Sequence, residues 1–149
     1  MSAPRQPHAL VTGITGQDGS FLAEELLARG YAVTGVTRRP SGSGLGLLEP
    51  HRTAVTWLHG DLTEPATLAA IVDAAPDEIY HLAAPTFVPD SWEHPVDTMG
   101  AIFGSTAALL AAVSGRAPAC RIFVAGSGEM FGDAPTSPQD EGKIGRAHV

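Results

Sequence analysis

The chain has 149 residues, 44% of them hydrophobic, which is enough for one core and one compact domain and leaves no room for a second. A formal charge of −7 provides no basic surface to displace the counterions of DNA or RNA, so no nucleic-acid partner is expected. The single cysteine excludes an intrachain disulfide, the six histidines show no metal-ligand spacing, and neither a signal peptide nor an apolar run of membrane length is evident, so a soluble, cytoplasmic protein with no metal and no membrane partner is expected.

The apolar run Ala9 to Thr12 is followed by glycines and then by Ser20 to Arg29, where Phe21, Leu22, Leu26 and Leu27 share one helical face and Gly30 ends the helix. Strand, loop and helix follow in that order. Ala32 to Thr37 reads as a second strand, and RRPSGSGLGLLEP after it as a surface loop too rich in Gly, Ser and Pro for regular structure. Val55 to Leu58 is the third strand; Thr63 then caps a helix, with Glu64 and Pro65 in its first turn, that runs to about Ala75. Glu78 to Ala83 forms a fourth strand, Val96 to Ser114 a long Ala-rich helix ended by Gly115, and Arg121 to Ala125 a fifth strand. This alternation predicts an α/β fold, a Rossmann-type doubly wound parallel sheet in the order 3-2-1-4-5 with helices on both faces.

The loop after the first strand, Gly13-Ile14-Thr15-Gly16-Gln17-Asp18-Gly19, places three glycines at a three-residue period across the strand-to-helix turn. Without side chains the backbone can turn tightly and approach a pyrophosphate, while the helix starting near Gly19 aims unpaired N–H groups and its positive dipole end at the phosphates. The alternative is a loop that only turns the chain. Near the end of the second strand, where a site preferring NAD usually offers a carboxylate to the ribose, stand Arg38 and Arg39. They favour a 2′-phosphate, hence NADP, the alternative being a solvated pair opening a loop. Asp61, with Leu62, follows the third strand, where its carboxylate can accept from an adenine amino group or cap the next helix.

With TGITGQDGSFLAEELLARGY in place, the chain resembles the extended short-chain dehydrogenase/reductases and, within them, the GDP-mannose 4,6-dehydratases. Gln17-Asp18 between the last two glycines is the specific part. VTRR, HGDLT, IYHLAA, SWEHPV and GEMFG match in order over nearly the whole chain. The resemblance implies bound NADP, held by Gly13, Thr15, Gly16, Gln17, Asp18, Gly19, Arg38, Asp61 and Leu62, with Leu82, Ala83, Ala84 and Thr86 completing the cofactor site. It also implies that the substrate is the sugar nucleotide GDP-mannose, oxidised at C4, dehydrated across C5 and C6 and reduced at C6 to GDP-4-keto-6-deoxymannose by a homo-oligomeric enzyme. In AGSGEMFG, Ser127 matches the hydroxyl that hydrogen-bonds the C4 oxygen, and Glu129 the carboxylate that takes the C5 proton and protonates the leaving C6 hydroxyl.

The chain departs from that pattern in several places. The family's principal base is a tyrosine followed four residues later by a lysine, but the tyrosines here are Tyr31 and Tyr80, with Gly35 and Ala84 in those positions, and Lys143 is the only lysine. These residues are therefore expected to be inactive by themselves. Pro85 replaces a customary glutamine, Ile102 falls near a customary asparagine, and Gly104-Ser105-Thr106 replaces a Gly-Thr pair. After Glu141 the sequence changes abruptly, and Lys143 to Val149 match one reading frame of a common sequencing adapter. The expectation is an incomplete nucleotide domain over residues 1–142 followed by a non-native tail. Two other readings stay open: a different NAD(P)-dependent sugar-nucleotide epimerase, reductase or dehydratase, and a non-catalytic NADP-binding module.

Overall fold

The computed structural model describes residues 5–39, 45–132, 137–140 and 142. Residues 40–44 of the surface loop and the tail 143–149 lie outside them. Five strands, β1 (His8–Thr12), β2 (Ala32–Thr37), β3 (Val55–His59), β4 (Glu78–His81) and β5 (Arg121–Val124), form one parallel sheet in the order β3-β2-β1-β4-β5, as expected. Alternate residues of β1 face opposite ways. Ala9 and Val11 join Val33 and Val55 in a core on one face, while Leu10 joins Ile79, Ile71 and Leu109 in a second core on the other.

Helix α1 (Gln17–Ala28) connects β1 to β2 and begins earlier than the sequence suggests, because Gly16 serves as its N-cap. Its C-terminus closes with a Schellman pair, Gly30 N–H to the Leu27 carbonyl at 2.9 Å and Tyr31 N–H to the Leu26 carbonyl at 3.0 Å, with Gly30 at φ +80°. The buried face differs from the expected one. Gly19, Ser20, Ala23 and Leu26 point inward, and Phe21 is 53% exposed. Close approach of the first turns of α1 to the glycine loop leaves room there only for the small Gly19, Ser20 and Ala23, so the phenyl ring turns to solvent.

The loop after β2 is more ordered than its composition suggests. A 3₁₀ helix spans Gly46–His51, and Leu45 and Leu48 are buried in the α1-side core. Two leucines in a glycine-rich segment suffice to anchor it. Helix α2 (Pro65–Asp73) has Glu64, not Thr63, as its N-cap, with Pro65 at the first position, where a missing N–H does no harm.

After β4 comes a short helix, α3 (Val88–Glu93), and then a helical rod made of α4 (Pro95–Met99), a π-helical turn (Gly100–Gly104) and α5 (Ser105–Arg116). Gly115 lies within α5 rather than ending it. Residues Pro95–Arg116, 22 in number with a mean hydropathy of 1.5 over an 18-residue window, are long and apolar enough to cross a membrane, contrary to the expectation of no such run. Small Gly, Ser and Thr residues between the apolar ones hide the run in the sequence. Its inner stripe, Ser105, Leu109 and Val113, is buried, and α5 packs on α2. That is also the arrangement of a helix covering a sheet. An outer stripe of Val96, Met99, Phe103 and Leu110 faces solvent, as does Trp92.

The two stripes respond differently to substitution. Leu109→Ala is expected to lower the unfolding free energy by about 2–5 kcal/mol, and Phe103→Ser to change it by no more than about 0.5 kcal/mol, in denaturant titrations of the 149-residue chain. Equal losses at the two positions would show the rod to be rotated from this setting.

Candidate functional site

A cleft of about 660 Å³ opens where the five strands end. Thr12 lines it from β1, Thr37 from β2, Gly60 from the turn after β3, Leu82 from the turn after β4 and Ala125 from the turn after β5. Open parallel sheets hold ligands at this edge, beside the point where successive crossovers leave in opposite directions. Here that point lies between β1 and β4.

The glycine loop forms the cleft's floor. At Gly13 φ is +70°, and a Cβ built there would lie 2.8 Å from the Ala83 backbone nitrogen. A Cβ at Gly19 would collide with the Gly13 carbonyl oxygen. The loop therefore packs on both β4's exit and its own helix, and only glycine permits either contact. Gly16 N–H donates to the Gly13 carbonyl at 2.9 Å, and Gly16 contributes no side chain to cap α1, whose first-turn residues Gln17, Asp18 and Gly19 line the cleft.

Every cofactor residue expected from the sequence lines this one cleft. Gly13, Thr15, Gly16, Gln17, Asp18 and Gly19 form its floor, Arg38, Asp61 and Leu62 one end, and Leu82, Ala83, Ala84 and Thr86 the far wall. Arg38 is largely exposed, its guanidinium 3.8 Å from the Asp61 carboxylate. Asp61 is neither a helix cap nor free of local duties. Its Oδ1 accepts from Thr63 N–H at 2.9 Å and from Thr63 Oγ1 at 2.7 Å, and these bonds, with help from Arg38, hold its carboxyl below the ordinary range. His59 Nε2 lies 2.8 Å from the Arg38 carbonyl oxygen, and Arg39 N–H donates to Thr37 Oγ1 at 3.1 Å, so the end of β2 is tied to its neighbours.

Ser127 follows Ala125 beyond β5 and is exposed; its carbonyl accepts Met130 N–H at 3.1 Å at the start of a 3₁₀ turn, Gly128–Phe131. Among the described residues, Ser127 does not line the cleft, and the side chain of Glu129 lies outside what the structure describes. Tyr80 cannot stand in for a catalytic phenol. It lies outside the cleft and donates to Glu78 Oε2 at 2.6 Å, which pushes its pKa up to about 12.

The sequence reading missed Thr12, Val36, Thr37, Gly60, Thr63, Ala101, Ser105 and Ala125 as cleft residues. Strand-end positions such as Thr37 and Ala125 could have been found from the edge rule alone. Ala101 and Ser105 carry no such signal, because they reach the cleft through the tertiary placement of the π turn. The polar cluster of buried His81 and Thr12 with half-buried Thr106 was also missed.

The glycine loop and its cleft at the strand ends define a Rossmann-type nucleotide fold. A UDP-glucose 4-epimerase from Stenotrophomonas maltophila, solved with NAD, superimposes with a TM-score of 0.81 at 24% identity over 93% of this chain and 42% of that one. The GDP-mannose 4,6 dehydratase family model matches residues 10–147, and the chain belongs to that family. GDP-mannose 4,6 dehydratase 1 of Arabidopsis thaliana is 43% identical over 89% of this chain and 40% of its own length. For the human GDP-mannose 4,6 dehydratase the figures are 39%, 95% and 41%. The chain thus spans well under half the length of these relatives.

Two outcomes follow. Gly13→Ala forces a side chain into a left-handed turn against the Ala83 peptide, and thermal unfolding should show a loss of at least about 2 kcal/mol. His81 is 4% exposed, and burial lowers its pKa from 6.5. Between the folded and unfolded pKa values the unfolded chain binds the extra proton, so this contribution to stability is complete above 6.5 and falls away as the pH drops below it. The contribution of Asp61 is lost in a separate window, below 3.8. Denaturant midpoints should therefore decline as the pH falls below 6.5 in the wild type and decline less in His81→Asn.

Proposed function

We propose that the cleft holds NADP, with its pyrophosphate on the α1 N-terminus and its 2′-phosphate beside Arg38, and that the chain is the nucleotide-binding part of an enzyme converting GDP-mannose to GDP-4-keto-6-deoxymannose. The observation that carries the reading is the side-chain-free floor, Gly13 to Gly19, feeding an uncapped helix start inside a cleft large enough for a dinucleotide. The NAD of the epimerase structure supports a nicotinamide carrier, and the names of the plant and human relatives support the sugar nucleotide. Arg38 favours the phosphorylated carrier: its guanidinium is exposed at the cleft's end and steadied by Asp61.

When bound, the nicotinamide supplies a place where hydride is taken up and given back. The chain's own residues do the rest of what this part of the enzyme contributes. First-turn amides of α1 neutralise the diphosphate, and the glycine floor lets them approach it closely. Ser127 donates a hydrogen bond to the sugar's C4 oxygen. Glu129 accepts the proton from C5 and delivers it to the departing C6 hydroxyl, so water leaves and the carboxylate is regenerated. Deprotonation of the C4 hydroxyl needs a further base. The sequence holds no Tyr-x-x-x-Lys pair, and the elevated pKa of Tyr80 disqualifies its phenol.

Calorimetric titration of the 149-residue chain should show NADP binding more tightly than NAD. Arg38→Ala should weaken NADP roughly tenfold or more while leaving NAD within about twofold. Equal affinity for the two carriers would remove the assignment of the 2′-phosphate, and binding of neither would remove the function. Incubation with GDP-mannose and NADP is expected to yield no 4-keto sugar; product formation would show that a base for C4 exists among these residues.

A further inference from the structure

His81 ends β4, opposite Thr12 in the sheet register. Its Nδ1 lies 2.8 Å from Thr12 Oγ1, and its Nε2 lies 3.0 Å from Thr106 Oγ1 on α5. The partners determine where the protons sit. Thr106 donates its hydroxyl hydrogen to the Ile102 carbonyl at 2.6 Å, so toward the imidazole it can only accept, and Nε2 carries the ring hydrogen. In the neutral ring Nδ1 is then an acceptor, and Thr12 donates to it. That leaves Thr12 Oγ1 to accept the Ala83 N–H at 3.3 Å. Four hydrogen bonds therefore run in one direction, from the Ala83 amide through Thr12, His81 and Thr106 to the Ile102 carbonyl.

One end of the series lines the cleft, and the other lies next to a residue that does. Ala83 forms the wall against which Gly13 packs, and Ile102 sits in the π turn next to Ala101, which also lines the cleft. A π turn interrupts regular helix pairing, and such turns recur at functional sites. The groups meeting the ring from β1 and α5 are the hydroxyls of Thr12 and Thr106, neither of which is charged. An apolar residue would fill the space equally well; a directed polar series adds a fixed geometry that packing alone does not impose.

We infer that His81 is a positioning residue for the nucleotide, holding the Ala83 peptide and the π turn of the rod in one register through its neutral Nε2–H form. This rests on the nucleotide reading of the cleft. Thr106 does not line the cleft, so Thr106→Val cuts the series at its far end while every lining side chain stays in place. Thr12→Val cuts it at the near end with an isosteric change. The probes are NADPH fluorescence titration, 15N NMR of the ring, and amide exchange at Ala83 in the 149-residue chain.

In the wild type the ring should be neutral with its hydrogen on Nε2. Thr106→Val should weaken NADPH roughly 3- to 10-fold and speed Ala83 exchange by a similar factor. Adding Thr12→Val should cost less than its effect alone, because the two changes break one coupled unit. A merely space-filling His81 would leave NADPH affinity unchanged in a folded Thr106→Val protein, and that result overturns the inference, as does a hydrogen on Nδ1. Failure of the nucleotide reading has a different signature: wild-type protein with the Nε2–H ring and a protected Ala83 amide that binds no NADPH, in which case the positioning role falls with it.

Discussion

At Gly13 the loop leaving β1 passes so close to the Leu82–Ala83 peptide that no side chain fits between them, and the geometry of the cleft follows from that contact. The same loop is pinned from the other side by Gly19, which rests on the Gly13 carbonyl and draws the start of α1 down onto the sheet. Helix dipole, first-turn amides and strand ends are thereby brought to one place. An anion bound there meets N–H groups already oriented, with little reorganisation left to pay in the bound state.

The sheet's order gives this contact its setting. Crossovers from β1 run outward through β2 to β3 on one side, and the chain then returns to place β4 on the other side of β1, so the loops after β1 and β4 diverge. The opening between them is the cleft. Thr12 lines it and His81 lies beside Thr12, at the last register position the two strands share. A polar pair at that depth is fully satisfied: among the described residues no buried side-chain nitrogen or oxygen lacks a partner.

The rod from Pro95 to Arg116 serves two surfaces at once. Leu109 and Val113 close the second core, whereas Phe103 and Val96 lie on the solvent side with no partner from the described residues to cover them. The buried cores hold the sheet together, and the outer stripe contributes to exposed apolar surface instead.

Local sequence determined the elements and their order. Alternating apolar runs, glycines at a strand-to-helix turn and the rule of right-handed crossovers suffice for a parallel sheet with β1 at its centre, and the edge rule then collects Gly13, Arg38, Asp61 and Ala83 into one cleft. Tertiary structure alone decided which faces turn inward and which polar groups meet. Phe21 is displaced outward because Gly19 sets the height of α1; Leu45 and Leu48 order a loop whose composition predicts none; Asp61 caps a turn at Thr63 instead of the helix. His81 reads in the sequence as one polar residue in an apolar run, since its partners Thr12 and Thr106 lie 69 and 25 residues away in the chain. Periodicity reports a residue's own element, and a hydrogen bond between elements exists only once the sheet has closed.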